Sequence, residues 1–207
     1  MTLVSLRRRR SSRRRNRGQT LVEFALVFPI FIVLLLGLIE FAFVFNAMLA
    51  TNFAARDAAL AAAEVGDGSG GDCAILDAVE KALGPPADEG RIQSIEIFRA
   101  QPNGAMIGTP TTYVRAAPRS CTFPDGTVAT VPYTSAPNPN GYPSVVRCNI
   151  LNGEGCPDPG PNRTVDNVAV RITYHHNWVT PLRTFVGGNP GGLTFDRSSV
   201  MRMEPIL

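Results

Sequence analysis

Residues 18–50 read GQTLVEFALVFPIFIVLLLGLIEFAFVFNAMLA, and this stretch decides the architecture of the chain. From Ala25 to Ala50 the strongly polar residues are Glu40 and Asn46. As a helix that rises 1.5 Å per residue, this run is about 39 Å long, which exceeds the ~30 Å hydrocarbon core of a membrane. Because no other segment is as long and apolar, we predict one membrane-spanning helix.

A secretory signal peptide is the main alternative for this run. The apolar core of a signal peptide is typically about 7 to 15 residues long and ends at a small-x-small cleavage site. The run is nearly twice that length, and Ala47-Met48-Leu49 does not offer the pattern. A site further along the chain stays open as an alternative, and cleavage there would release a secreted disulfide-rich domain.

A block of eight arginines precedes the span, namely Arg7, Arg8, Arg9, Arg10, Arg13, Arg14, Arg15 and Arg17. The whole chain carries a net charge of +3, but without this block it holds 12 basic residues against 17 acidic ones. Arginines beside a span favour the cytoplasmic side of the membrane. Basic amino termini also bind nucleic acid, but this block adjoins a span, so we predict a cytoplasmic leader and no nucleic-acid partner.

The helical pattern continues beyond the span. Small side chains recur between Asn46 and Val65, at Ala47, Ala50, Ala54, Ala55, Ala58, Ala59, Ala61, Ala62 and Ala63. Alanine is the best helix former, and spacings of three and four place several of these residues on one face. We therefore predict one helix from about Leu21 to Val65, with Pro29 and Gly37 as points where it bends.

Glu23 lies inside the apolar stretch, where a carboxylate costs up to about 3 kcal/mol at mid-bilayer. The surrounding segment, Gly18-Gln19-Thr20-Leu21-Val22-Glu23-Phe24-Ala25-Leu26, resembles the amino-terminal motif of TadE-like proteins, the pseudopilins of tight-adherence (Flp-type) pilus systems. It also resembles the wider type IV prepilin site, in which a glutamate is the fifth residue after the cleaved glycine. Pro29, Gly37 and the carboxy-terminal Val200–Pro205 are similar to the family as well.

The resemblance implies that a prepilin peptidase cuts between Gly18 and Gln19, removes the arginines and frees an α-amino group. It further implies that Glu23 pairs with that amine on a neighbouring subunit. The alternative is a Glu23 side chain that reaches water at the membrane interface. The implied partners are the peptidase, other pilins or pseudopilins, the pilus assembly platform and the bacterial inner membrane. The chain is longer than a major Flp pilin, which favours a minor component.

The four cysteines, Cys73, Cys121, Cys148 and Cys156, all follow the span, on the predicted outer side where disulfides persist. Four cysteines allow three connectivities. A short loop closed by Cys148 and Cys156, with Cys73 bridged to Cys121, is the pairing that we favour. Zinc is the rival interpretation, but the spacings are wide and no CxxC is present. We expect no metal and no cofactor.

The remaining segments predict an α+β fold, a long helical stalk carrying a small antiparallel-sheet, pilin-like head. The predicted elements are a helix at Ile75–Leu83, a hairpin of Arg91–Phe98 and Thr111–Val114 around Asn103-Gly104, and strands at Val165–Trp178 and Leu193–Met203. Pro118–Pro161 is predicted as an irregular, disulfide-stapled loop region. The predicted units are a leader (1–18), a transmembrane and stalk helix (19–65), a Gly-rich linker (66–71) and an extracytoplasmic domain (72–207).

Other candidate sites favour ordinary structural roles. His175 and His176 are adjacent in a predicted strand, so they point to opposite faces and do not suit one metal. Asp67–Asp72 offers oxygen donors for calcium but lacks the EF-hand order, which favours a linker. No catalytic or phosphate-binding motif is present, Gly187-Gly188 and Gly191-Gly192 included, so we predict a non-enzyme. The rival function is an unprocessed single-pass membrane protein whose outer domain binds a partner.

Overall fold

The computed structural model describes residues 16–136, 138, 140–151, 155–157, 164–181 and 191–205. Nearly all of the arginine leader and the Gly187-Gly188 pair lie outside these residues. The first element is helix α1, Asn16–Val65, which runs without interruption through Pro29 and Gly37. The single continuous helix predicted from the sequence is therefore confirmed.

Helix α1 has an exposed apolar half and a packed half. Side chains from Leu21 to Leu38 are largely exposed, including Leu34 and Leu38 at about 70%. In the second half the alanine face is fully buried, at Ala54, Ala55, Ala58, Ala59 and Ala62. These small side chains let the rest of the protein approach the helix closely, as their spacing predicted.

A glycine-rich turn returns the chain onto α1. Helix α2, Gly71–Ala82, follows the turn and packs against α1 through Ile75, Leu76 and Val79, all buried. Gly70 has a φ of +82°, and a Cβ there would lie 2.2 Å from the carbonyl oxygen of Thr122. Only glycine meets both demands, the left-handed conformation and the close approach.

Five antiparallel strands complete the head. They are β1 (Ile92–Ala100), β2 (Met106–Thr122), β3 (Val128–Ser135), β4 (Asn167–His176) and β5 (Leu193–Arg202), in the spatial order β3-β2-β1-β4-β5. The sheet and helices confirm the α+β class. The predicted hairpin is present, with Gly104 in the turn between β1 and β2.

One face of the sheet packs against the two helices. The alternating residues Val168, Val170, Ile172 and Tyr174 of β4 are all buried in the main core, as their spacing predicted. The opposite face carries a smaller cluster of Phe98, Ala100 and Ala169, with the guanidinium of Arg171 5.0 Å above the Phe98 ring. On the helix side, strands β4 and β5 lie against α1 and hold the sheet to the stalk.

The prediction of an irregular loop from Pro118 to Pro161 is wrong over its first part, where the end of β2 and all of β3 lie. The prolines caused the error. Pro118 lies within the register shift between Arg115 and Arg119, where the ladder is interrupted. Pro132 lies on β3, an edge strand of the sheet. Interruptions and edges are the two places where a sheet tolerates proline, because its missing N–H breaks no central ladder there.

Two disulfides fasten the head, Cys73–Cys121 and Cys148–Cys156. The first joins α2 to β2, and the second closes the short loop that the sequence favoured. The pairing is therefore the one that we preferred from the sequence. The Cys73–Cys121 bridge ties the beginning of α2 to β2, whose last residue, Thr122, lies beside Gly70.

Candidate processing and assembly site

The residues predicted for processing lie at the start of α1. Gly18 and Gln19 are exposed in the first turns of the helix. A Cβ added at Gly18 would meet no atom within 4 Å. A glycine in a helix interior costs about 1 kcal/mol relative to alanine, and neither packing nor a positive φ calls for one in the described part of the chain. Packing in the described part of the chain therefore does not require a glycine at position 18.

Glu23 is one turn further along the same exposed surface. Its Oε1 accepts a hydrogen bond from Nε2 of Gln19 at 3.1 Å, an i,i+4 contact within the helix. The side chain is exposed, so the head does not cover it. Gly18, Gln19 and Glu23 thus form one accessible patch, which leaves the carboxylate open to a group from another molecule.

Pro29 and Gly37 lie between this patch and the head. Both are inside the continuous helix, Pro29 exposed and Gly37 half-buried. The bend predicted at these positions stays a prediction. The apolar window around them is long enough to cross a membrane and is not buried in the protein, unlike the core helix of a soluble domain.

The sequence interpretation assigned no role to Glu40, a second acidic residue of α1. Its side chain is 2% exposed although it follows an exposed apolar run. Nε2 of His176 donates to Oε1 at 3.0 Å. The N–H of Val179 donates to Oε1 and Oε2 at 3.1 and 3.2 Å, and the N–H of Thr180 donates to Oε2 at 2.7 Å.

Glu40 therefore fastens the end of β4 to the helix. A buried carboxylate is stable only when it is paired and hydrogen-bonded, and here three donors from one segment converge on it. The polarity of Glu40 within an apolar run was the available signal. Nothing local pointed to a partner more than a hundred residues away in the chain.

The two adjacent histidines have different surroundings, as expected for neighbours in a strand. His176 is buried against Glu40, whereas Nδ1 of His175 lies 2.8 Å from Oγ1 of Thr194 and its Nε2 contacts the carbonyl oxygen of Gly191. Their rings do not converge. Among the described residues, no group of three His, Cys, Asp or Glu side chains could hold a metal ion.

The Asp67–Asp72 segment is engaged with the head. Asp67 accepts from Nδ2 of Asn149 at 3.2 Å, and Asp72 accepts from Oη of Tyr113 at 2.6 Å. Asp72 also pairs with Arg147, whose side chain is fully buried. These carboxylates stabilise the turn between the helices, so the segment is more than the flexible linker favoured by its composition.

Comparison with known proteins identifies the amino-terminal segment. Residues 18–60 match the family model described as TadE-like protein. No curated protein and no solved structure matches the chain. The match begins at Gly18, covers Glu23 and Glu40, and ends within the alanine-rich part of α1. The resemblance drawn from Gly18–Leu26 is thereby confirmed: residues 18–60 of this chain are similar to the TadE-like proteins.

Proposed function

We propose that this protein is a minor pseudopilin of a tight-adherence pilus system, cut between Gly18 and Gln19 by a prepilin peptidase. The observation that carries the proposal is the unexplained glycine. A Cβ at Gly18 would meet no atom within 4 Å, so packing does not explain the glycine. Gly18 directly precedes Gln19, and Glu23 is the fifth residue when Gln19 is counted as the first. A peptidase that needs an accessible, unbranched backbone at this position supplies the missing reason.

The family match supports the same position. It begins at residue 18 and leaves the arginine leader outside. Cleavage would remove a basic leader from a chain that is otherwise acidic, and it would create an α-amino group with an ordinary pKa of about 8. That ammonium group is a suitable partner for the exposed Glu23 carboxylate of a neighbouring subunit, because an unpaired carboxylate in a membrane is costly.

The rest of the molecule supports a structural role at the inner membrane. The exposed half of α1 is apolar enough to span a bilayer, which fits a single-pass membrane protein. We place the arginine leader in the cytoplasm and the head outside, following the positive-inside rule. The five-stranded head is much larger than a bare pilin helix, so a priming or tip position suits it better than the bulk of a fibre.

The decisive experiment is the mass of the mature chain in membranes. We expect the amino terminus to be Gln19 in wild-type cells and to stay uncut in cells without the prepilin peptidase. Gly18→Leu should block cleavage. Gly84→Leu is the matched control, since Gly84 is also exposed with open space around it. A mature chain that begins at Met1 or Thr2 in wild-type cells would favour an unprocessed membrane protein instead.

Assembly is tested separately with Glu23. We expect Glu23→Ala to be cleaved normally but lost from cross-linked complexes with other pilins. Glu64→Ala is the control, because Glu64 is exposed at the far end of the same helix. Normal cross-linking of the Glu23 variant would remove the charge-pairing part of the proposal and leave the processing part standing.

A further inference from the structure

The head has a tip that lies at a fixed height along α1. This tip consists of Trp178, Val179 and Thr180, which follow β4 after Asn177. Its backbone is held by Glu40 through the N–H groups of Val179 and Thr180. A buried carboxylate that accepts several hydrogen bonds is a strong attachment. The tip therefore keeps its position beside Glu40 along the axis of α1.

Between Glu23 and Glu40, helix α1 has no strongly polar residue, although the apolar run continues beyond Glu40 to Ala50. Residues 20–39 form 20 helical residues, which span about 30 Å at 1.5 Å per residue and match the hydrocarbon core. At the other end of the head, the N–H of Glu204 donates to the carbonyl oxygen of Ala63 at 3.1 Å. Ala63 lies about 35 Å beyond Glu40 along the helix, so the two ends of the head differ clearly in their distance from the membrane.

The surface at the level of the tip is apolar on the helix as well as on the head. Val179 is 54% exposed, and Phe41 and Phe45 are 66% and 52% exposed on the adjoining turns of α1. The two phenylalanine rings stack with their centroids 6.0 Å apart. Trp178, which precedes Val179 in the chain, is half-buried. Tryptophan is enriched where a membrane meets water, because its indole has an apolar body and one polar N–H.

We infer that the tip is a membrane-contacting surface, which rests in the headgroup region of the bilayer leaflet on the side of the head. We expect phospholipid to cover this surface, because the surface is continuous with the exposed apolar half of α1. The inference rests on the membrane span proposed above. It goes further, because it makes the head itself a peripheral membrane element with a defined orientation.

Trp178 is the only tryptophan of the chain, so it reports on the tip without any substitution. The full chain is reconstituted into phosphatidylcholine vesicles with bromine on the acyl chains, either near the headgroup or near mid-bilayer. We expect bromine near the headgroup to remove roughly half of the Trp178 emission, as for an indole at the interface, and mid-bilayer bromine to remove less.

Two reporter variants calibrate depth in a Trp178→Phe background. Leu34→Trp places the reporter on the exposed apolar half of α1. Phe123→Trp places it in the turn between β2 and β3, near Glu64 and Val65 at the far end of the helix. We expect mid-bilayer bromine to quench the first and neither lipid to quench the second. Quenching of the Phe123→Trp reporter would overturn the proposed orientation.

The remaining outcomes separate the two proposals. If the Leu34→Trp reporter is quenched and Trp178 is not, the tip does not touch lipid and the inference falls while the span stands. If neither is quenched, both fall. If Trp178 is shielded from aqueous acrylamide as well as from brominated lipid, protein covers the tip, either from a second copy or from the same chain, and the inference is overturned.

Discussion

Glu40 and His176 are 136 residues apart in the chain, and Nε2 of His176 donates to Oε1 of Glu40 at 3.0 Å. Both side chains are almost fully buried, at 2% and 3% exposure. With the two backbone N–H groups beyond β4, this contact forms the lower attachment of the head to the stalk. The attachment depends on one carboxylate, so it can be tested by one substitution.

Replacement of Glu40 by alanine should loosen the end of β4. Three donors would lose their acceptor, and those of His176 and Thr180 are buried. A buried unsatisfied donor costs about 1–3 kcal/mol. We expect the amides of Val179 and Thr180 to exchange hydrogen roughly 100-fold faster, which corresponds to about 3 kcal/mol. Hydrogen-exchange mass spectrometry of the full chain measures this. Glu64→Ala is the control, and unchanged exchange in Glu40→Ala would contradict the attachment.

The buried pair of Arg147 and Asp72 should show coupled energetics. The Arg147 side chain is fully buried, with its guanidinium 5.5 Å from the Tyr142 ring. Removing one partner of a buried pair leaves the other charge uncompensated, so Arg147→Met should cost about 3–5 kcal/mol of unfolding free energy. The double variant with Asp72→Asn should cost less than the sum of the single changes. Additive costs in urea unfolding would show that the pair is not coupled.

The two disulfides should differ in their contribution to stability. Loop-closure entropy predicts about 4 kcal/mol for the separation of 48 residues between Cys73 and Cys121, and about 2.5 kcal/mol for the separation of 8 between Cys148 and Cys156. We expect Cys73→Ser/Cys121→Ser to lower the urea midpoint more than Cys148→Ser/Cys156→Ser. The opposite ranking would mean that local packing around the short loop outweighs chain entropy.

Alkaline pH should destabilise the head through two buried tyrosines. Burial raises the pKa of Tyr113 and Tyr133 above the ordinary value of 10, with further increases from Asp72 and Glu80 respectively. Below pH 10 both phenols are neutral in the folded and the unfolded chain, so their contribution is complete. Above it the unfolded chain loses these protons while the folded chain keeps them, and stability falls as the pH rises.

The tyrosine prediction is checked by the slope of unfolding free energy against pH above the ordinary tyrosine pKa. Tyr113→Phe/Tyr133→Phe should flatten that slope, because phenylalanine does not titrate. The absolute stability of the variant is not the readout, since each tyrosine also donates a hydrogen bond to a carboxylate, Asp72 and Glu80 respectively. An equal slope in the variant and the wild type would contradict the prediction.

The elements with strong local patterns were predictable from the sequence. The uninterrupted apolar and alanine-rich run specified α1, and the alternation from Val168 to Tyr174 specified β4. Strand β3 was missed because Pro132 reads as a strand breaker, although an edge strand accepts it. Local pattern carries no information about whether a strand lies at an edge or in the centre of a sheet.

The candidate site divides in the same way. Gly18, Gln19 and Glu23 were predicted as a site because their spacing is local and lies within a recognised motif, and their role stays a prediction. The role of Glu40 depends on His176 and on two backbone amides that only the folded sheet brings to the helix. A single sequence shows that Glu40 is out of place in an apolar run, but the distance along the chain hides its partners.

The attachment of Glu204 to Ala63 at one end and of Val179 and Thr180 to Glu40 at the other has a mechanical consequence. Strand β5 runs beside α1 between these two attachments. A force along the stalk axis therefore acts in shear on the buried alanine face of α1 and on both attachments at the same time. The contacts do not separate one after another. Under such a load the head and the helix should move together as one body.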